Sequence, residues 1–149
     1  MAGNPRPHPM PKADFYLIDK PRFRENPLLL VCELAKRAFE ARLPTLVLAR
    51  SREQAEALDD AMWAFDDDAF VPHQIAGDDE DDATAVLIVP PELAAADRAL
   101  VINLRDECAG GRYDAVKEVV AADPAEREGS RRRWKEYQSR RFELRKFDM

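Results

Sequence analysis

The sequence predicts a three-layer α/β fold: one domain, a mostly parallel sheet, and helices on both faces. Short continuous apolar runs at 14–19, 45–49, 86–89 and 100–104 read as strands buried on both sides. Segments with helical apolar spacing alternate with these runs, as a parallel sheet with crossover helices requires. The length, 149 residues, is enough for one sizeable core. No internal repeat is present.

The first strand is Asp14-Phe15-Tyr16-Leu17-Ile18-Asp19, rich in aromatic and branched residues. Asn26-Pro27 then gives a helix start, and Leu30, Val31, Leu34, Ala35, Ala38 and Ala41 form one apolar face. Pro44 stops that helix near Arg42. Thr45-Leu46-Val47-Leu48-Ala49 is the second strand. Ser51-Arg52-Glu53-Gln54 reads as a capping box, opening a helix with an inner stripe of Ala55, Leu58, Ala61, Met62 and Phe65. Trp63 lies off that stripe, roughly 140° from its centre, among Glu56, Asp59 and Asp60. An aromatic on a polar face marks a contact site or lies under a neighbouring loop.

Asp66-Asp67-Asp68 closes the helix, and Ala69-Phe70-Val71-Pro72-His73 is a short extended segment. Asp78-Asp79-Glu80-Asp81-Asp82 follows Gly77 without the alternating ligand spacing of a calcium loop, so a solvated, mobile acidic loop is expected. Val86 to Val89 and Leu100 to Leu104 are further strands. Val116 to Ala121 fits either a short helix end or a last strand. The Pro-rich residues 1–12 are expected to be a flexible extension, with the domain spanning 13–149.

The C-terminal stretch is the most distinctive. Asp123-Pro124-Ala125-Glu126 combines an N-cap, a Pro at the first helical position and a capping-box carboxylate. Beyond it Arg127, Arg131, Trp134 and Gln138 fall on one helical stripe, flanked by Lys135 and Arg141. From 127 to 146 nine Lys/Arg face three Glu, in a chain of net charge −6. A basic face around an aromatic suits an acidic partner that carries an apolar group. The alternatives are a Trp134 packed into the core beside solvated arginines, or a direct single-stranded nucleic-acid binder. Residues 53–82 weigh against the second, with twelve acidic side chains and no Lys or Arg.

Recognisable catalytic chemistry is missing. The turn Asp19-Lys20-Pro21-Arg22-Phe23 after the first strand has no glycine, so neither dinucleotide fingerprint nor Walker loop is present. There is no GxSxG elbow, and His73 stands alone after its short strand. Two histidines and two distant cysteines make no zinc set, and Cys32 and Cys108 read as reduced thiols. No cofactor or metal is expected, and a small enzyme with a non-standard site has no residue pattern in its favour. No apolar run reaches membrane-span length, so a cytoplasmic location is expected.

Several motifs stand in one order along the chain: Ala13 to Leu17, Val31 to Ala35, Leu46 to Ala49, Glu53 to Asp59, Met62 to Phe65, Phe70 to Gly77, Val101 to Leu104, Glu118 to Val120 and Arg131 to Tyr137. Together they resemble the chi subunit of bacterial DNA polymerase III holoenzyme, over roughly Ala13 to Leu144. The resemblance implies a Rossmann-like fold without a nucleotide site and a non-catalytic accessory subunit of the clamp-loader assembly in the replisome. It favours a strand at Glu118 to Val120. It further implies one surface for the acidic, Pro-Phe-ending C-terminal tail of single-stranded DNA-binding protein: Arg127, Arg131, Trp134 and Lys135. A second surface, Trp63, Phe70 and Pro72, would take the psi subunit of the clamp loader, or a competing helicase of the XPD type acting in DNA repair. Arg133 and Arg140-Arg141 make the helix more basic than is usual in that family, and Arg141 replaces a common glycine.

Overall fold

The computed structural model describes residues 10–65, 70–79 and 81–149. Its elements are β1 (Lys12–Leu17), α1 (Pro21–Glu25), α2 (Pro27–Glu40), β2 (Thr45–Leu48), α3 (Arg52–Ala64), β3 (His73–Ile75), β4 (Val86–Val89), β5 (Leu100–Asn103), β6 (Ala115–Val120), α4 (Pro124–Ser139) and β7 (Glu143–Asp148). The seven strands form one sheet in the order β3-β4-β2-β5-β6-β1-β7, and every pairing among the described residues is parallel. This is the expected α/β class. Part of the expected extension is in the sheet, since β1 begins at Lys12. Residues 1–9 and the Asp66-Asp67-Asp68 helix stop lie outside the described residues.

The apolar runs are strands because both sheet faces are covered. In β4, Val86 and Ile88 face the layer of α2 and α3, with Leu30, Leu34 and Leu58. Leu87 and Val89 face the other side, with Phe15, Val101, Val116 and Tyr137. That second layer is one helix, α4, together with irregular chain carrying Leu93, Ala95, Cys108, Ala109 and Tyr113. Both cysteines are free; Cys32 is buried in the first layer.

Helix starts are partly as expected. Ser51 Oγ accepts from Gln54 N at 3.0 Å and Asp123 Oδ1 from Ala125 N at 2.7 Å. Asn26 makes no side-chain cap, so only Pro27 opens α2. Glu126 does not close a capping box: both its oxygens take Arg50 Nη2, at 3.0 and 3.1 Å. The expected end of α2 is accurate, but Ala41 is exposed, not on the buried face.

α4 ends in a Schellman motif. Arg141 N donates to Gln138 O at 3.0 Å, Phe142 N donates to Tyr137 O at 3.1 Å, and the Tyr137 and Phe142 rings lie 5.0 Å apart. This geometry puts Arg141 at φ +64°, a left-handed conformation that glycine adopts without strain. Arg141→Gly is expected to raise stability by about 0.5–1 kcal/mol, read as a higher urea midpoint; an unchanged or lower midpoint would refute the strain assignment.

Register also assembles a charged cluster. Asp14 on β1 stands between Lys117 on β6 and Arg145 on β7. Its carboxylate, 1% exposed, accepts from Arg145 at 2.8 and 2.9 Å and from Lys117 at 3.1 Å. Burial alone would push this carboxyl up, but the hydrogen bonds and charges of Arg145 and Lys117 outweigh it and hold it below the usual range. A depressed folded pKa means stability present above the unfolded value of about 4 and lost as pH falls through the folded one. Asp14→Asn should therefore cost about 1–2 kcal/mol at neutral pH, with the gap to wild type closing in strong acid. A gap that stays constant in urea titrations across that range would disprove the linkage.

Candidate interaction surfaces

The crevice where this architecture normally holds a nucleotide lies beyond the carboxyl ends of the strands. Here it is a space of about 180 Å³ lined by Pro27, Leu28, Arg50, Leu104, Val119 and Glu126. The Arg50–Glu126 ion pair spans it. That volume is below the range of small-molecule sites.

A larger hollow, about 450 Å³, lies at the β7 side of the sheet. Its apolar lining is Phe15 and Leu17 of β1 with Trp134 of α4, and its cations are Arg127, Arg131, Lys135 and Lys146. Trp134 is half-buried, tilted against Phe15 at 5.1 Å between centroids. Arg127 is tied down: its Nη2 donates to Ile18 O at 2.7 Å and its Nε to Ala121 O at 3.3 Å. Arg131 and Lys135 are exposed. None of these four cations forms an ion pair with a described residue. The structure thus gathers Arg127, Arg131, Trp134 and Lys135 around one hollow. Gln138 and Arg141, placed on or beside the same stripe by helical spacing, do not line it. Lys146 does, contributed by a strand that the sequence reading missed.

The other cations of α4 have partners. Arg132 meets Glu128 at 3.7 Å and Arg140 meets Glu136 at 2.7 Å, each one turn apart. Arg133, one of the nine basic residues of the C-terminal stretch, is turned inward and is 6% exposed. Its Nε donates to Glu118 Oε1 at 2.8 Å. Glu118 Oε2 accepts from Asn103 Nδ2 and Tyr137 Oη, both at 2.7 Å. Tyr137 Oη in turn accepts from Ala109 N at 3.0 Å. Burial pushes the Glu118 carboxyl up, and Arg133, Asn103 and Tyr137 pull it back without cancelling the rise. The Tyr137 hydroxyl is raised by burial and by the Glu118 charge. This network fixes α4 on β5 and β6, and so sets which side of the helix faces the hollow.

At the opposite edge, Trp63 and Phe70 are exposed by 60% and 57% and stack at 5.1 Å. His73 lies edge-on to Trp63 at 5.0 Å, and its Nδ1 bonds to Val71 O at 2.7 Å. His73 is buried, and Pro72 beside it is half-buried. No described segment covers Trp63. In the acidic stretch, Asp81 accepts from Gln74 Nε2, Gly77 N and Asp78 N, at 2.8 to 3.1 Å.

A bridged switch-point crevice and open aromatic surfaces at the two sheet edges define a Rossmann-like α/β protein whose exposed chemistry lies away from the nucleotide position. The family profile of the DNA polymerase III chi subunit, HolC, matches residues 10–145. The chain is 30% identical over 139 residues to DNA polymerase III subunit chi of Pseudomonas aeruginosa, covering 91% of this chain and 94% of that relative. It is 29% identical over 141 residues to the same subunit of Escherichia coli (strain K12), covering 91% and 96%. The chain belongs to the DNA polymerase III chi subunit family, a non-catalytic accessory subunit of DNA replication. Among the described residues no helix is long and apolar enough to cross a membrane.

Proposed function

We propose that this chain bridges single-stranded DNA-binding protein to the clamp loader, taking the acidic C-terminal tail of the first at α4 and psi at the Trp63 edge. The observation that carries the reading is the hollow of Phe15, Leu17 and Trp134 rimmed by four cations, none of which forms an ion pair with a described residue. An apolar slot suits a terminal phenylalanine, and unpaired cations suit carboxylates, including the terminal one. Arg127, held by two backbone carbonyls, acts as the fixed cation, while Arg131, Lys135 and Lys146 adapt. Trp63, Phe70 and Pro72 form the second surface, where an XPD-type helicase would compete with psi.

A synthetic acidic peptide ending in Pro-Phe is expected to bind at roughly micromolar Kd, more weakly as salt is raised, because the rim is exposed. Arg131→Glu should abolish the calorimetric signal while leaving the melting profile unchanged. Undiminished binding would remove the tail from this hollow. Bare single-stranded oligonucleotide should bind poorly under the same conditions, given the net charge of −6; tight binding without the partner protein would favour direct nucleic-acid recognition.

A further inference from the structure

We infer that the Trp63–Phe70 surface is shaped for a basic segment of a partner protein, one that lays an apolar side chain on the ring pair and an arginine or lysine against Asp59. This rests on the reading of that edge as a partner surface and goes beyond it by fixing the partner's charge.

The ring pair is open, and its margin is acidic. Glu56, Asp59 and Asp60 precede Trp63 by seven, four and three residues, on the same side of α3. Glu56 and Asp60 are exposed, and the Asp59 side chain is 30% exposed. From residue 53 to 82 the sequence offers no lysine or arginine to neutralise them. Among the described residues the one basic side chain within 4.0 Å of an Asp59 oxygen is His73. His73 Nε2 lies 3.3 Å from Asp59 Oδ1, yet out of hydrogen-bonding alignment, and is buried without a hydrogen-bond partner. Nδ1 is already committed to the Val71 carbonyl. The base of the ring pair therefore holds a carboxylate with no well-aligned donor among the described residues. A guanidinium or ammonium arriving with the partner would supply one and sit beside the Trp63 face, where the ring quadrupole also attracts a cation.

The same carboxylates have a second effect. An open tryptophan–phenylalanine pair would otherwise be a serviceable seat for any peptide ending in phenylalanine. Like charge at its margin repels an acidic peptide and leaves α4 as its place, so charge sorts two partners that both carry apolar anchors.

The test uses the full chain carrying Trp134→Phe, which leaves Trp63 as the one tryptophan and thus the fluorescence reporter. Two synthetic amphipathic peptides serve as probes. They share leucine and phenylalanine positions and differ in carrying lysine and arginine, or glutamate, elsewhere. The basic peptide is expected to shift Trp63 emission and bind at least about tenfold tighter than the acidic one. Glu56→Gln, Asp59→Asn and Asp60→Asn together should erase that preference, and Trp63→Ala should remove the basic peptide's calorimetric signal. Should the triple variant melt early, Glu56→Gln with Asp60→Asn keeps the Asp59–His73 contact and should still narrow the preference. Equal binding of both peptides at Trp63 overturns the inferred charge and leaves the partner surface standing. Persistent binding of the basic peptide to the Trp63→Ala variant overturns it as well, by showing attraction to diffuse acidity. Absence of any Trp63-dependent binding refutes the partner surface and the inference with it.

Discussion

Glu118→Ala is expected to destabilise the protein by about 3–5 kcal/mol, a large share of the stability of a domain this size. Two costs add. The Arg133 guanidinium is left buried, deprived of its carboxylate, and the donors Asn103 Nδ2 and Tyr137 Oη lose their shared acceptor. The pair itself need not be a net stabiliser, because taking both ions out of water offsets most of their attraction. That distinction gives a control: Glu118→Leu combined with Arg133→Met removes both charges and should recover most of the loss. Urea unfolding of wild type, Glu118→Leu, Arg133→Met and the double variant closes the cycle and gives the coupling energy. A single variant within about 1 kcal/mol of wild type would mean that α4 is held by its apolar contacts and not by this network. A double variant as unstable as the single would mean the same fold loss without the charge explanation.

The network also shows where sequence reading stops. The strands with continuous apolar runs, β1, β2, β4 and β5, were legible because burial on both faces leaves little place for polar residues, and the buried exceptions, Asp14, Thr45 and Asn103, are few. β7 was not, because Glu-Leu-Arg-Lys-Phe-Asp is the composition of an exposed edge. With β7 went Lys146, the fourth cation of the hollow. The short β3 was visible only as extended chain, and α1, five residues long, had no periodicity to show. Within α4 the helical angle placed Arg127, Arg131 and Trp134 together correctly. It could not tell a cation that faces outward from one that faces a buried carboxylate. Arg133 and Arg132 are neighbours of the same type, and what separates them is Glu118, an acid fifteen residues earlier on a strand that itself had two readings. Trp63 was the reverse case: an aromatic out of phase with its own helix is a signal that needs no tertiary information.

The two tryptophans should respond unequally to truncation, and Trp134→Ala carries the larger effect. Trp134 is half-buried, leans on Phe15 and forms the apolar wall of the hollow. Its loss should weaken the acidic tail peptide by roughly 30-fold, about 2 kcal/mol, as for a central aromatic anchor. Because it also fills space against a buried ring, about 1–3 kcal/mol of fold stability should go with it. Trp63, 60% exposed, stacks mainly on another exposed ring, so Trp63→Ala should leave stability within about 0.5 kcal/mol and tail affinity unchanged. Calorimetry with the tail peptide and urea unfolding on the same samples separate the two columns of effect. If Trp134→Ala loses stability but keeps the peptide, the indole is a core residue and the cations act without an apolar slot. If it loses the peptide with stability intact, the indole is free enough to move over the ligand, and the hollow closes on binding instead of standing open.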